Sequence, residues 1–448
     1  MLRRMLRSLR ARPGGIARAS VWAGSCAIPM VVVAWMAPPL LPAVIGTFLA
    51  IGITGLVYRH LTLGWVAWLL MSGLSLEMTL SDLIGPEAFQ ITIAAVKGGE
   101  IGLVLLTMVR KGLAWDKFNP AQGFGAIAAM GMMAGIHPNL TAADMARSLL
   151  GSATPFLLFY CVPPAGWAVA MLRAVCFVPA VSVLLGLLLD LSGVRPLFVD
   201  SGGARLAALG HPAFLAGVCL PAIYATLLRW LGTGSPHAAL LLGVNLTILV
   251  LTGARAPTAY ALLVIAASLV LAPSTAIPRT RGLVMVAAGI FAVPILLVLG
   301  ESFSSLRLFT VLGNEAGNLS GRELLWTAIE AAADQAPWFG WGLGAGNVII
   351  PHDGQIAQLL RTWAAHNEYL RMRVEGGAIG LALLILLFVL WAAAHTRRLP
   401  PLERLVMRLV LLAFAAHAVT DNVLISTPAC VFFAFTAAVF AEARLKVR

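Results

Sequence analysis

Apolar residues run along this chain in long unbroken stretches, and charges collect in the short breaks between them. Residues 284–300, 379–394 and 431–441 are apolar nearly all round. A helix needs about 20 such residues to cross hydrocarbon, and it satisfies its own backbone polar groups there. No period-2 alternation points to a barrel. The pattern predicts spans near residues 20–37, 40–58, 61–76, 89–109, 121–136, 149–162, 165–191, 212–231, 238–253, 256–271, 282–300, 374–394, 404–418 and 423–441. Pro38-Pro39 and Pro163-Pro164 interrupt pairs of short stretches, which suits re-entrant pairs. The expected fold is therefore an all-α polytopic membrane protein of about 12 to 14 transmembrane helices.

Composition agrees, with 60% hydrophobic and 11% charged residues and a mean hydropathy of +0.91, against roughly a quarter charged in soluble domains. The net charge of +12 is explained by sidedness. With the amino terminus inside, Lys and Arg concentrate in the cytoplasmic segments and acids in the external ones, as the positive-inside rule requires. Both termini are expected to be cytoplasmic, and aromatics do not interleave with a soluble basic patch, so no nucleic-acid partner is expected. The arginine-rich start before residues 21–36 reads as the lead-in to a retained first helix, not a cleaved signal peptide. Cys26, Cys161, Cys176, Cys219 and Cys430 all lie in apolar stretches without CxxC spacing, which suits core filling over disulfides or metal.

The one long external segment, residues 301–373, exceeds a plain connector. Residues 322–333 read as a helix opened by Ser320-Gly321 and ended before Pro337. Gly340 to Gly346 then make a glycine-rich turn, which no strand precedes, so nucleotide binding is not expected.

Candidate chemistry gathers just beyond this turn. If residues 366–380 form one helix, His366, Arg373, Gly377 and Gly380 share a stripe within roughly 60°. The glycines permit close approach of a helix or lipid chain, and His366 stands about 16 Å further out, at the external surface. A histidine there can take a proton from a hydroxyl. Glu368 or Asp421-Asn422 are placed to orient it, and Asp421 equally suits a cap on the last helix. Helix packing with an interfacial histidine is the plainer account of the same stripe. The external arginines are Arg205, Arg255 and Arg322, and Arg255 interrupts two apolar spans at a short corner where a lone cation is costly without an anion. Guanidinium forks suit phosphate, while snorkelling to headgroups explains Arg255 more simply. Lys97 and Glu100, three apart in one span, are expected to pair. His352-Asp353 and His366-Glu368 lack metal-ligand spacing, so neither a metal nor another cofactor is expected.

His366-Asn367 followed by Gly377-x-x-Gly380 resembles the HNx9GxxG pattern of the O-antigen ligase and polymerase superfamily of bacterial membrane glycosyltransferases. Thr252-Gly253-Ala254-Arg255 resembles that superfamily's TxSRG corner, with Ala254 for serine and Ala256 for glycine. Ser320-Gly321-Arg322 through Trp326, then Pro337 to Gly344, resembles the loop before the histidine. The resemblance covers residues from about Arg205 to Asn422. It implies a GT-C-like helical fold with a helical periplasmic loop, 301–373, before the third-last span. The domain division it suggests is 1–200 as amino-terminal transmembrane helices and 201–448 as the ligase-like catalytic region. By position, His366 would be the base, Arg255 and Arg322 would act on the donor diphosphate with Arg205, and Asn367, Glu368, Arg373, Gly377, Gly380 and Asp421 would line the substrate. The implied partners are an undecaprenyl diphosphate-linked glycan, a lipid A-core or growing polysaccharide acceptor, and membrane lipids of the bacterial inner membrane. Ligase, O-antigen or exopolysaccharide polymerase, and a non-enzymatic lipid-linked glycan transporter all stand as readings of this pattern.

Overall fold

A computed structural model describes residues 52–200, 203–299, 322–351, 354–360, 362, 364–425 and 427–447. The expected span at 20–37, most of that at 40–58, Cys26, the Ser320-Gly321 motif and His352-Asp353 lie outside the described residues. The chain forms two compact units, Met1–Leu63 and Gly64–Arg448. Residues 52–59 of the first are helical.

The second unit is a helical assembly. Its elements are α1 (Leu61–Gly73, entering from the first unit), α2 (Leu76–Ile84), α3 (Glu87–Lys111), α4 (Ala121–Ala134), α5 (Ala142–Leu157), α6 (Trp167–Leu191), β1 (Phe198–Asp200), β2 (Ala204–Leu206), α7 (Pro212–Thr233), α8 (Pro236–Leu251), α9 (Arg255–Leu271), α10 (Arg279–Leu299), α11 (Arg322–Gln335), α12 (Gln355–Leu360), α13 (Glu368–Thr396), α14 (Pro401–His417) and α15 (Thr427–Val447). β1 and β2 form a small antiparallel hairpin in which Val199 faces Arg205.

Among the described residues, α3, α6, α7 and α13 are long and apolar enough to cross a membrane. The α1–α2 pair adds a fifth if its 65° bend is one broken span. α4, α8, α9 and the Thr427–Ala443 part of α15 are shorter apolar helices. The stretch expected to span at 149–162 differs. It begins inside α5, whose first turns carry Asp144 and Arg147, and ends in a 3-10 turn at Leu158–Tyr160 before Pro163-Pro164. Charged early turns and a proline-bounded end shorten it below what a crossing requires.

α7 is the centre, packed against α6, α8 and α15, and most of its residues are buried. α15 lies against α6 and α7, α9 against α14, and α13 between α4 and α11. An aromatic cluster joins α5, α13 and α15, with Phe156 at 4.2 Å from Phe433 and Trp391 edge-on to Phe159 at 5.0 Å between ring centroids. Cys161, Cys176, Cys219 and Cys430 are free thiols, in keeping with a filling role. Lys97 donates to the Gly151 carbonyl at 3.3 Å and to Cys430 Sγ at 3.0 Å. No ion pair joins it to Glu100, because α5 and α15 offer partners across the interface that the helix itself was expected to supply.

The helix expected to run unbroken through residues 366–380 is broken. Gly377 takes φ 61 and ψ −167, outside helical space, and the freed backbone groups are stitched to the preceding loop. Ala378 and Ile379 N–H donate to the Pro337 and Trp338 carbonyls at 2.8 and 3.1 Å, and Val374 and Glu375 carbonyls accept from Trp341 and Gly342 N–H at 2.8 and 3.0 Å. The glycine-rich turn is thus a wedge bonded into the break. A Cβ at Gly377 would meet the Trp338 backbone, and left-handed φ strains any other residue there. Gly377→Ala is expected to lower stability by about 2 kcal/mol or more. Gly125→Ala, where an added Cβ meets nothing within 4 Å, should be neutral or stabilising. Thermal unfolding of both variants in detergent checks this, and an unchanged midpoint for Gly377→Ala would contradict it.

Candidate active site

His366 closes the loop ahead of α13 with φ 46, a left-handed conformation uncommon outside glycine and most often met where function demands it. Its neighbours hold it there. The Trp326 indole on α11 donates to the Ala365 carbonyl at 2.8 Å. Asn367 is the N-cap of α13, its side chain accepting from Leu370 N–H at 3.1 Å, and Glu368 N–H donates to the Ala418 carbonyl at 2.7 Å. The imidazole is 29% exposed, open enough to meet a ligand.

Nδ1 of His366 lies 3.1 Å from Asp421 Oδ1, and Nε2 lies 3.2 Å from Thr362 Oγ1. With its proton on Nδ1 the ring donates to the carboxylate, and Nε2 keeps a lone pair within reach of a hydroxyl. Asp421 sits in the turn after α14, where Oδ1 also accepts from Asn422 N–H at 2.9 Å and His417 Nε2 stands 3.9 Å from Oδ2. Burial pushes the Asp421 carboxyl up. The hydrogen bond and charge of His366, the charge of His417 and the Asn422 N–H outweigh that and hold it below its ordinary range. Asp421 is therefore an ionised anchor that orients the imidazole.

Cations and a second histidine surround this pair. Arg205, on β2, donates its Nε to the Thr252 carbonyl at 2.8 Å, tying the hairpin to the corner that opens α9 at Arg255. Arg255 is exposed, and no ion pair joins it to a described residue. One and a half turns along α9, Tyr260 donates to the Ala416 carbonyl at 3.1 Å and packs on His417, so the corner sits at the Asp421 end of the helices. Arg195 has a side chain only 9% exposed, paired to Asp82 at 2.7 Å and donating to the Gly210 carbonyl at 2.7 Å. The next residue, His211, caps α7 through Nδ1, which accepts Ala213 N–H at 3.2 Å. Burial lowers its titration, as do the charges of Arg205, Arg195 and His366, while Asp421 opposes them. Arg322 opens α11 one turn before Trp326, and its side chain lies outside the described part of the structure.

Other expected residues serve the scaffold. Arg373 makes an exposed pair with Asp334 at 2.8 Å, joining α13 to α11. The break at Gly377 parts it from Gly380, and His366 precedes the helix, so the four-residue stripe does not form. Gly380 seats against Ile127 of α4, where an added Cβ would come within 2.9 Å. Glu368 does not reach His366. It is buried and paired with Arg371, whose Nε donates to it at 2.9 Å, and Arg371 also holds Glu375 at 3.1 Å. Among the described residues no group of three or more His, Cys, Asp or Glu is arranged to hold a metal.

Residues 238–385 match the O-antigen ligase family model. The superfamily that the His366-Asn367 motif resembles is the one this stretch matches, and its members are glycosyltransferase-like enzymes of O-antigen. The O-antigen ligase region contains Arg255, Arg322 and His366. Arg205, His211 and Asp421 reach the site from flanking segments. A search of curated proteins finds no match to the chain.

Residue patterns alone passed over Arg195, His211, Thr362 and the Arg371 triad. The triad carried a signal in its i,i+3 and i,i+4 spacing, and His211 carried one in preceding a proline at a helix start. Nothing in sequence separation pointed Thr362 at His366.

Proposed function

We propose that this protein transfers a glycan from an undecaprenyl diphosphate donor to an acceptor hydroxyl of lipid A-core at the periplasmic face of the bacterial inner membrane, as an inverting, metal-independent O-antigen ligase. The observation that carries the reading is the His366–Asp421 pair, set in strained backbone within reach of a hydroxyl and beside the arginines of the hairpin and the α9 corner. Asp421 holds Nδ1, and Nε2 accepts the proton of the attacking hydroxyl. The acceptor oxygen bonds to the anomeric carbon from the face opposite the diphosphate, which departs with the electron pair of the broken bond. Arg255, Arg322 and Arg205 stabilise that charge, an electrostatic contribution large in a site shielded from water. Thr362, whose hydroxyl lies at bonding distance from Nε2, marks the position an acceptor hydroxyl would take.

In this reading the shorter apolar helices complete about 12 to 14 spans in a GT-C-like arrangement, with cytoplasmic termini. Residues 1–200 form the amino-terminal helices, and 201–448, with loop 301–373, form the catalytic region. Deleting the gene and running the envelope glycans on a gel tests the acceptor. Core-only lipopolysaccharide with accumulated lipid-linked polymer is expected. A single-repeat band would indicate a polymerase, and loss of a secreted polymer with intact lipopolysaccharide an exopolysaccharide enzyme. Asp421→Asn should reduce transfer by about 10²-fold or more, since an amide does not anchor the Nδ1-protonated ring as a carboxylate does. Undiminished turnover would remove Asp421 from the mechanism.

A further inference from the structure

His211 stands out because a residue whose only task is to cap a helix does not need an imidazole. Serine, threonine, aspartate and asparagine cap better and reach no further than the backbone. His211 caps α7 with Nδ1 as acceptor from Ala213 N–H at 3.2 Å. That bond assigns the tautomer, since a ring nitrogen that accepts carries no proton, so the neutral imidazole has its proton on Nε2. The ring is exposed, although the rest of α7 is the most buried of the long helices. The charged groups acting on it come from four directions: Arg205 on the hairpin, Arg195 after α6, Asp421 after α14 and His366 before α13. Burial and the two arginines keep it neutral where an ordinary histidine begins to take a second proton. A neutral N–H donor thus faces the ground shared by the candidate base and the hairpin arginine.

We propose that His211 touches the substrate and donates its Nε2–H to an oxygen of the donor's diphosphate as the glycosyl bond breaks. This rests on the proposed transfer reaction and adds a second imidazole with a different task. The acceptor oxygen forms its bond to the anomeric carbon, and its proton passes to Nε2 of His366. The electron pair of the breaking carbon–oxygen bond stays on the diphosphate, where negative charge grows. His211 supplies a hydrogen bond to that growing charge and gives up no proton. A neutral donor also leaves the neighbouring arginines free of the repulsion that an imidazolium would bring.

Substitution by asparagine separates this role from capping. The shorter amide side chain in His211→Asn would keep an acceptor for Ala213 N–H but would not extend an N–H as far as Nε2 reaches. The full-length protein in nanodiscs is assayed with undecaprenyl diphosphate-linked glycan as donor and lipid A-core as acceptor. His211→Asn should melt like the wild type and lose about 10²- to 10³-fold in kcat, the usual cost of one transition-state hydrogen-bond donor. Donor KM should change little, as befits an interaction made in the transition state. Wild-type kcat in His211→Asn, with His366→Ala inactive in the same assay, would show that His211 only caps α7 and would overturn the inference alone. Undiminished transfer by His366→Ala would overturn the base assignment and this inference with it.

Discussion

His366→Ala is expected to cut glycan transfer by about 10²- to 10⁴-fold, the usual cost of losing a general base, while the protein folds and inserts as before. The ring bonds to Asp421 and Thr362 and is partly exposed, so its removal opens no cavity in the core. The backbone bonds that shape its loop, from Trp326 to the Ala365 carbonyl and from Glu368 N–H to the Ala418 carbonyl, do not depend on the side chain. Alanine tolerates left-handed φ less well than histidine, so the loop carries some added strain and His366→Asn is the better companion variant. Both should be inactive and melt close to the wild type. Turnover like the wild type in either would remove His366 as the base.

Arg371→Met is expected to be the most destabilising single change near the site. Arg371 is 3% exposed and holds Glu368 and Glu375, themselves 4% and 0% exposed, in one buried triad. Taking the cation away leaves two buried carboxylates without their partner, a loss of about 3–5 kcal/mol for a buried pair broken on one side. The triad also ties three segments together. Glu368 accepts from Leu424 N–H at 3.5 Å, Glu375 offers its carbonyl to Gly342 N–H, and Gly346 packs on the Arg371 stem. Neutralising all three together, as Arg371→Met with Glu368→Gln and Glu375→Gln, should recover much of the loss, because no uncompensated charge stays buried. Unfolding midpoints in one detergent measure both variants. A single variant as stable as the wild type would mean that water or lipid headgroups reach the triad.

Much of the helical pattern was legible because lipid-facing helices are apolar all round, and that leaves a period-free run no soluble element imitates. α3, α6 and α7 fall within two residues of the stretches read from hydropathy. What hydropathy did not carry is local geometry. The break at Gly377 depends on the carbonyls of Pro337 and Trp338, from the loop that precedes the helix, and Glu368 turns to Arg371 because a buried cation outcompetes a distant histidine. Within the site, the motif pointed to His366 and the even choice at Asp421 resolved toward the histidine. His211 stayed hidden because a lone histidine before proline reads first as a helix start.

The most direct test reconstitutes the purified protein in nanodiscs with undecaprenyl diphosphate-linked glycan and lipid A-core, and follows donor and acceptor by mass spectrometry. The account predicts glycosylated acceptor and free undecaprenyl diphosphate in equal amounts, with the anomeric configuration inverted and no product from His366→Ala. Donor that stays intact in the presence of wild-type protein, or product formed equally by His366→Ala, would contradict it.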